Sequence, residues 1–131
     1  MLKALSEREV TDRNYWLTKG SELSLSLLDE FLILLKEIDN NFSLTYNKYY
    51  IGLRQGNRAN NFVIFKAKKA FLRVEVRIEE MDAVRDELKS ADIEVIGVSK
   101  RIRFVINKGD VAAHRDQIKA ILSKAYKESI S

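Results

Sequence analysis

An α+β fold, with helices packed on one main face of an antiparallel sheet, follows from three features of this sequence. Alternating apolar residues come in pairs of short stretches joined by tight polar turns. Other stretches repeat apolar residues at helical spacing. No proline interrupts either kind. A side-chain period of two marks a strand with one buried face, and a period near 3.6 marks an amphipathic helix. Hairpin connections this short demand antiparallel pairing. The order reads α-ββ-ββ-α-ββ-α: an antiparallel sheet of about six strands in three hairpins, with three helices. At 131 residues the chain is one domain, large enough to bury its own core.

Residues 1–13 are polar, with scattered Leu2, Leu5 and Val10, and read as a leader arm or a short helix. Trp16, the only tryptophan, reads as an aromatic anchor at the domain edge; a base-stacking platform is the functional alternative. The first helix runs from Ser21 or Ser24, either of which can cap it, to Ile38. Leu25, Leu28, Leu32 and Leu35 form its stripe, flanked by Phe31 and Ile38. Leu27 and Leu34 carry apolar surface round to a second side. Such a helix is either deeply buried or partly covered by another subunit, and the second case raises the hypothesis of a homodimer through the first helix.

Asp39-Asn40-Asn41 ends that helix. The first hairpin pairs Phe42–Tyr46 with Tyr49–Arg54 around Asn47-Lys48. A polar loop over Gln55–Asn60 leads to the second pair, within Asn60–Ile78. Its first strand is apolar on both sides, through Phe62 and Ile64 on one and Val63 and Phe65 on the other. A central strand covered on both faces is expected there. Its second strand sets Leu72, Val74, Val76 and Ile78 against Arg73, Glu75 and Arg77. Glu79–Ala91 is a helix with Met81, Val84 and Leu88 on its buried side and acids in its first turns, as the helix dipole favours. Ile93–Val98 and Arg101–Ile106 make the third hairpin, with Ile102, Phe104 and Ile106 inward and Arg101 and Arg103 outward. The last helix starts at an Asp110 cap and runs to about Tyr126, burying Val111, Ile118, Ile121, Leu122 and Ala125. Residues 127–131 are expected to fray.

The net charge is +4, but its distribution says more. Lys66 to Ile78 holds five bases and one acid; Val98 to Lys108 holds four bases and no acid; Glu79 to Asp92 holds six acids and two bases. Positive charge thus sits on strands and turns. If the second and third hairpins are neighbours in one sheet, they make a positive patch able to attract an anionic partner. A solvated strand face protected from edge pairing by Lys and Arg is the plainer explanation.

Chemistry is scarce. There is no cysteine, hence no disulfide, thiolate metal site or cysteine nucleophile. The single histidine, His114, lies at the margin of an apolar stripe and reads as structural; a triad would have to use it. No P-loop or GxGxxG is present. A Mg²⁺-dependent nuclease would need a second strand carboxylate beside Glu75, yet Asn40 to Leu72 contains no acid. An ion pair with its arginine neighbours is the expected role of Glu75. No catalytic residue, cofactor or metal is therefore expected. The longest apolar run, Phe31 to Leu35, is too short to span a bilayer. No signal peptide is evident, and a cytoplasmic protein is expected. The basic residues remain as candidates for binding DNA or RNA: Lys66, Lys68, Lys69, Arg73, Arg77, Lys100, Arg101 and Arg103. Arg54 and Arg58 lie in or near a loop, and Tyr46, Tyr49 and Tyr50 are the aromatics within reach.

The segment Tyr46-Asn47-Lys48-Tyr49-Tyr50-Ile51-Gly52-Leu53, followed by Asn61-Phe62-Val63, the Lys68-Lys69-x-x-Leu72 step and a closing Lys124-Ala125-Tyr126, resembles a small bacterial and archaeal α+β domain of unknown function. The resemblance spans roughly Tyr15 to Tyr126. That domain is often appended to nuclease-like or restriction-associated proteins, so the resemblance implies an accessory role near DNA and no active-site residues. Here it would be a free-standing or excised version. The expectation is a non-enzymatic accessory module of a DNA-processing or defence system. A protein-interaction or dimerisation module using the first helix and a sheet edge is the alternative.

Overall fold

The computed structural model describes residues 10–131. Its centre is one antiparallel sheet of β1 (Phe42–Tyr46), β2 (Ile51–Gln55), β3 (Arg58–Ala59), β4 (Val63–Ala67), β5 (Leu72–Val76), β6 (Val95–Val98) and β7 (Ile102–Ile106). The spatial order is β1-β2-β4-β5-β7-β6, and β3 pairs with β2. The helices are α1 (Arg13–Lys19), α2 (Glu22–Ile38), α3 (Met81–Ser90), α4 (Asp110–Ala113) and α5 (Arg115–Ile130). The α+β class and the antiparallel pairing agree with the sequence. The described residues hold seven strands and five helices, against about six and three expected.

Each extra element has a local reason for escaping notice. Helix α1 buries only Trp16, so no apolar stripe announces it; Asp12 caps it by accepting from Tyr15 N at 2.9 Å. The expectation of an arm or short helix over residues 1–13 falls, for residues 1–9, outside the described residues. Strand β3 is a two-residue ladder inside the polar loop. The last helix is split at His114, whose φ of −128° and ψ of 34° leave the helical region. Asp110 does not cap it: the Asp110 carboxylate accepts from Asn107 N at 2.7 Å within the preceding turn. The helix then continues past Tyr126 to Ile130. Glu128 accepts from Glu79 N at 2.9 Å, and Ser129 accepts from Asn60 Nδ2 at 3.3 Å, which hold the last turn where fraying was expected.

Strand β4 is central but is covered by helices on one side only. Phe62 precedes the strand and leaves its alternation, turning into the core against Phe42 and Tyr126. Within the pleat, Val63, Phe65 and Ala67 face the core, and Ile64 and Lys66 face away. Register carries this division across the sheet. Val74 pairs with Phe65 and Phe104 on the core face, while Glu75 pairs with Ile64 and Arg103 on the other. The core cluster gathers Trp16 and the buried faces of all five helices against Phe65, Val74 and Phe104. Val105, on the opposite face, is buried yet lies outside that cluster.

Helix α2 begins with a capping box between Ser21 and Ser24. Leu27 and Leu34, the residues that suggested a subunit contact, are each 1% exposed within one chain. Its neighbours are β1, β4, β5, α1, α4 and α5. Leu32 is half-buried and Ile33, at 59% exposed, is the large apolar residue that α2 leaves in solvent. No helix among the described residues is long and apolar enough to cross a membrane.

Candidate nucleic-acid interface

Strands β5 and β7 are paired along their whole length, from Leu72 opposite Ile106 to Val76 opposite Ile102. The two basic hairpins are therefore neighbours, and the condition for a shared positive face is met. Alternation puts Lys66 of β4, Arg73 and Glu75 of β5 and Arg103 of β7 on the side away from the core. Arg77 and Arg101 lie just beyond the ends of β5 and β7, and Arg101 is within electrostatic reach of both Arg77 and Glu75. Five cations and one carboxylate give this set a formal charge of 5 − 1 = +4.

Glu75 is the one buried charged residue among those described, 6% exposed. Its Oε2 lies 3.0 Å from Arg73 Nε and 3.7 Å from Lys66 Nζ. This is the ion pair expected from the sequence, shared between two cations. Neither Arg73 Nε nor Glu75 Oε2 makes a hydrogen bond, so the contact is Coulombic at short distance. Glu75 thus stitches β4 and β5 together on the exposed side of the sheet.

Arg103 faces Glu75 in register but lies over the edge strand instead. A Cβ at Gly97 would come within 2.7 Å of Arg103 Nη2, so the missing side chain there makes the seat for this guanidinium. Gly52 does the same on β2: a Cβ would meet Asn61 Oδ1 at 2.6 Å and the Tyr50 ring at 3.1 Å. Asn61 accepts from Leu53 N at 2.8 Å through its side chain and from Arg101 Nη1 at 2.8 Å through its carbonyl. Burial lowers the Arg101 pKa first, the nearby Arg77 charge lowers it further, and Glu75 and Tyr50 oppose the change. Arg77 and Arg101 are thus like charges within electrostatic reach of each other.

The remaining candidates divide between the two ends of the sheet. Lys100 sits in the β6–β7 turn at the end that carries Arg77 and Arg101. Lys68 and Lys69 lie in the β4–β5 turn at the opposite end, beside the β1–β2 turn. Lys69 Nζ donates to Thr18 O at 2.6 Å and so helps hold α1. Arg54 donates to Asn57 O at 3.0 Å, and Arg58 is exposed on β3. Tyr46 lies on the core side, next to Arg13.

Sequence reasoning missed Lys19, which becomes placeable only once Arg13–Lys19 is known to be helical. Its Nζ stands 5.1 Å, 5.6 Å and 6.0 Å from the ring centroids of Tyr15, Trp16 and Tyr49. Helix α1 is fixed there by two further bonds: Trp16 Nε1 donates to Asn47 O at 2.8 Å, and Tyr15 Oη donates to Lys48 O at 3.0 Å. Trp16 is 3% exposed, so it is the anchor rather than a stacking platform.

Compared with family models, curated proteins and solved structures, the chain matches none.

Proposed function

We propose that the protein is a non-enzymatic nucleic-acid-binding module that holds a phosphate backbone against the basic face of its sheet, as an accessory to a DNA-processing or defence system. The observation that carries this is the pairing of β5 with β7, which gathers Lys66, Arg73, Arg77, Arg101 and Arg103 on one side around a single carboxylate. Like charges at this density repel one another, and a polyanion lying across them removes that repulsion while releasing its own counterions. The half-buried Tyr50 lies within electrostatic reach of Arg101. The accessory role rests on the family resemblance.

The test is binding of single- and double-stranded DNA and RNA at low salt, followed by Arg77→Gln with Arg103→Gln. These two residues make no ion pair with Glu75, so their loss leaves the β4–β5 stitch intact. Arg73→Glu would confuse the result, because it sets a second carboxylate against the buried Glu75. The double variant is expected to lose most of the affinity with unchanged thermal unfolding. An absence of binding at low salt rejects the proposal.

A second reading, self-association, has its own observation. Among the described residues, β6 is an edge strand that exposes Ile96 (44%) and Val98 (37%), and α2 exposes Ile33. Association through those residues would be insensitive to salt, and light scattering over a wide concentration range decides it.

A further inference from the structure

Lys66 belongs to two surfaces. It is the last residue of the basic face on β4, and it also lines a pocket of about 440 Å³ shared by Trp16, Lys19, Tyr49, Ala67 and Lys68. The volume falls in the range of roughly 300–1,000 Å³ usual for small-ligand sites. Three lysines from three elements converge here: Lys19 from the end of α1, Lys66 from β4, and Lys68 from the β4–β5 turn. Among the described residues Lys68 Nζ has no carboxylate within ion-pairing distance. Lys66 shares its only one with Arg73. Tyr49, at the mouth, is 70% exposed, the most exposed of the described aromatic residues.

We infer that this pocket takes one unpaired nucleotide of a single strand, with its base against Tyr49 and its phosphate among Lys19, Lys66 and Lys68. The inference rests on the proposed nucleic-acid reading of the sheet face and names the form of nucleic acid it prefers. An exposed tyrosine ring offers a sequence-tolerant stacking surface, which an unpaired base can reach and a paired base inside a duplex cannot. Lysines supply point charges for the attached phosphate. Lys19 and Lys48 now stand 6.0 Å and 5.6 Å from the Tyr49 centroid. Exposed cation–π contacts are weaker than base stacking on an aromatic, so a base can take a ring face and leave a lysine to its phosphate. The pocket is already formed, since the bonds from Tyr15, Trp16 and Lys69 lock α1 to both neighbouring turns. A strand threaded here continues past Lys66 directly onto Arg73, its partner on β5.

Trp16, the only tryptophan, lines the pocket and reports on it by its own fluorescence. The experiment titrates the full chain with an oligothymidylate and with the same strand in duplex with oligoadenylate, reading Trp16 emission and strand anisotropy. The single strand is expected to bind more tightly than the duplex and to shift Trp16 emission. Tyr49→Ala should weaken single-strand binding by roughly tenfold and leave duplex binding unchanged, with Tyr49→Phe restoring it. Lys68→Ala should weaken single-strand binding as well. Equal single-strand affinity in Tyr49→Ala and the unsubstituted protein, with loss in Arg77→Gln/Arg103→Gln, overturns the pocket while the sheet face stands. Loss in Tyr49→Ala alone supports the pocket and overturns the sheet face. No binding of either form overturns both.

Discussion

The two faces of the sheet are built from the same strands, yet they use opposite physics. On one face Phe65, Val74 and Phe104 are 0–1% exposed and packed under helices. On the other, one residue along each strand, Lys66, Glu75 and Arg103 form a layer of charged side chains with a single acid. The first face stabilises the fold through apolar burial, about 1.5–3 kcal/mol for each large side chain. The second contributes less, and what it contributes rests on the one buried carboxylate, Glu75, shared between Arg73 and Lys66. Its charge is better suited to an external partner, and substitutions on the two faces should separate cleanly.

The largest effect is expected from Phe65→Ala, which removes a ring packed edge-on against Phe31 at 5.5 Å. It should cost about 3–5 kcal/mol in chemical denaturation. Its neighbour Lys66→Ala removes the longer of the two cation contacts to Glu75 and leaves Arg73 in place, so it should cost no more than about 1 kcal/mol and instead weaken nucleic-acid binding. Equal stability losses at the two positions would erase the distinction between the faces.

Glu75→Gln should move stability and binding in opposite directions. It leaves Arg73 and Lys66 without their counter-charge, at a cost of about 1–2 kcal/mol. It also raises the formal charge of the face from +4 to +5, so affinity for a polyanion should rise. A weakened complex would mean that Glu75 positions a binding group. Gly97→Ala should be milder. The added Cβ meets the flexible end of Arg103 rather than backbone, so stability should change by less than about 0.5 kcal/mol while Arg103 leaves its seat. A crystal structure of the variant with Arg103 still flat on β6 would refute that account.

The smallest effect is in acid. Hydrogen bonds from Lys119 and Arg115 lower the Glu37 pKa, and those from Asn41 N and Gln55 lower that of Asp39. A carboxylate depressed in the folded state stabilises it above the unfolded pKa near 4, and that contribution fades as pH falls through the lower folded value. Glu37 ties α2 to α5, so their docking should loosen slightly below about pH 4. Glu37→Gln should flatten the acid limb of a thermal-unfolding profile; an unchanged limb would place the sensitivity elsewhere.

Legibility in the sequence followed periodicity. The strands whose apolar residues alternate cleanly, such as Leu72–Val76 and Ile102–Ile106, are readable to within a residue or two. Helix α1 was not, because one buried tryptophan makes no period. Phe62 misled because its burial comes from ring packing outside the strand pleat. The role of Glu75 was legible because its strand neighbours are arginines. The pocket around Tyr49 was not, because it joins α1 to two turns far apart in the chain. Glycine seats such as Gly97 carry no sequence signal beyond a glycine within a strand.

The claim that the basic face binds a phosphate backbone is tested most directly by the salt dependence of oligonucleotide affinity. The protein should bind at low salt, with the logarithm of the binding constant falling linearly against the logarithm of salt concentration. Arg77→Gln with Arg103→Gln should make that slope shallower by about two, one for each phosphate contact removed, with thermal unfolding unchanged. Binding that ignores salt, or a slope identical in the double variant, would contradict it.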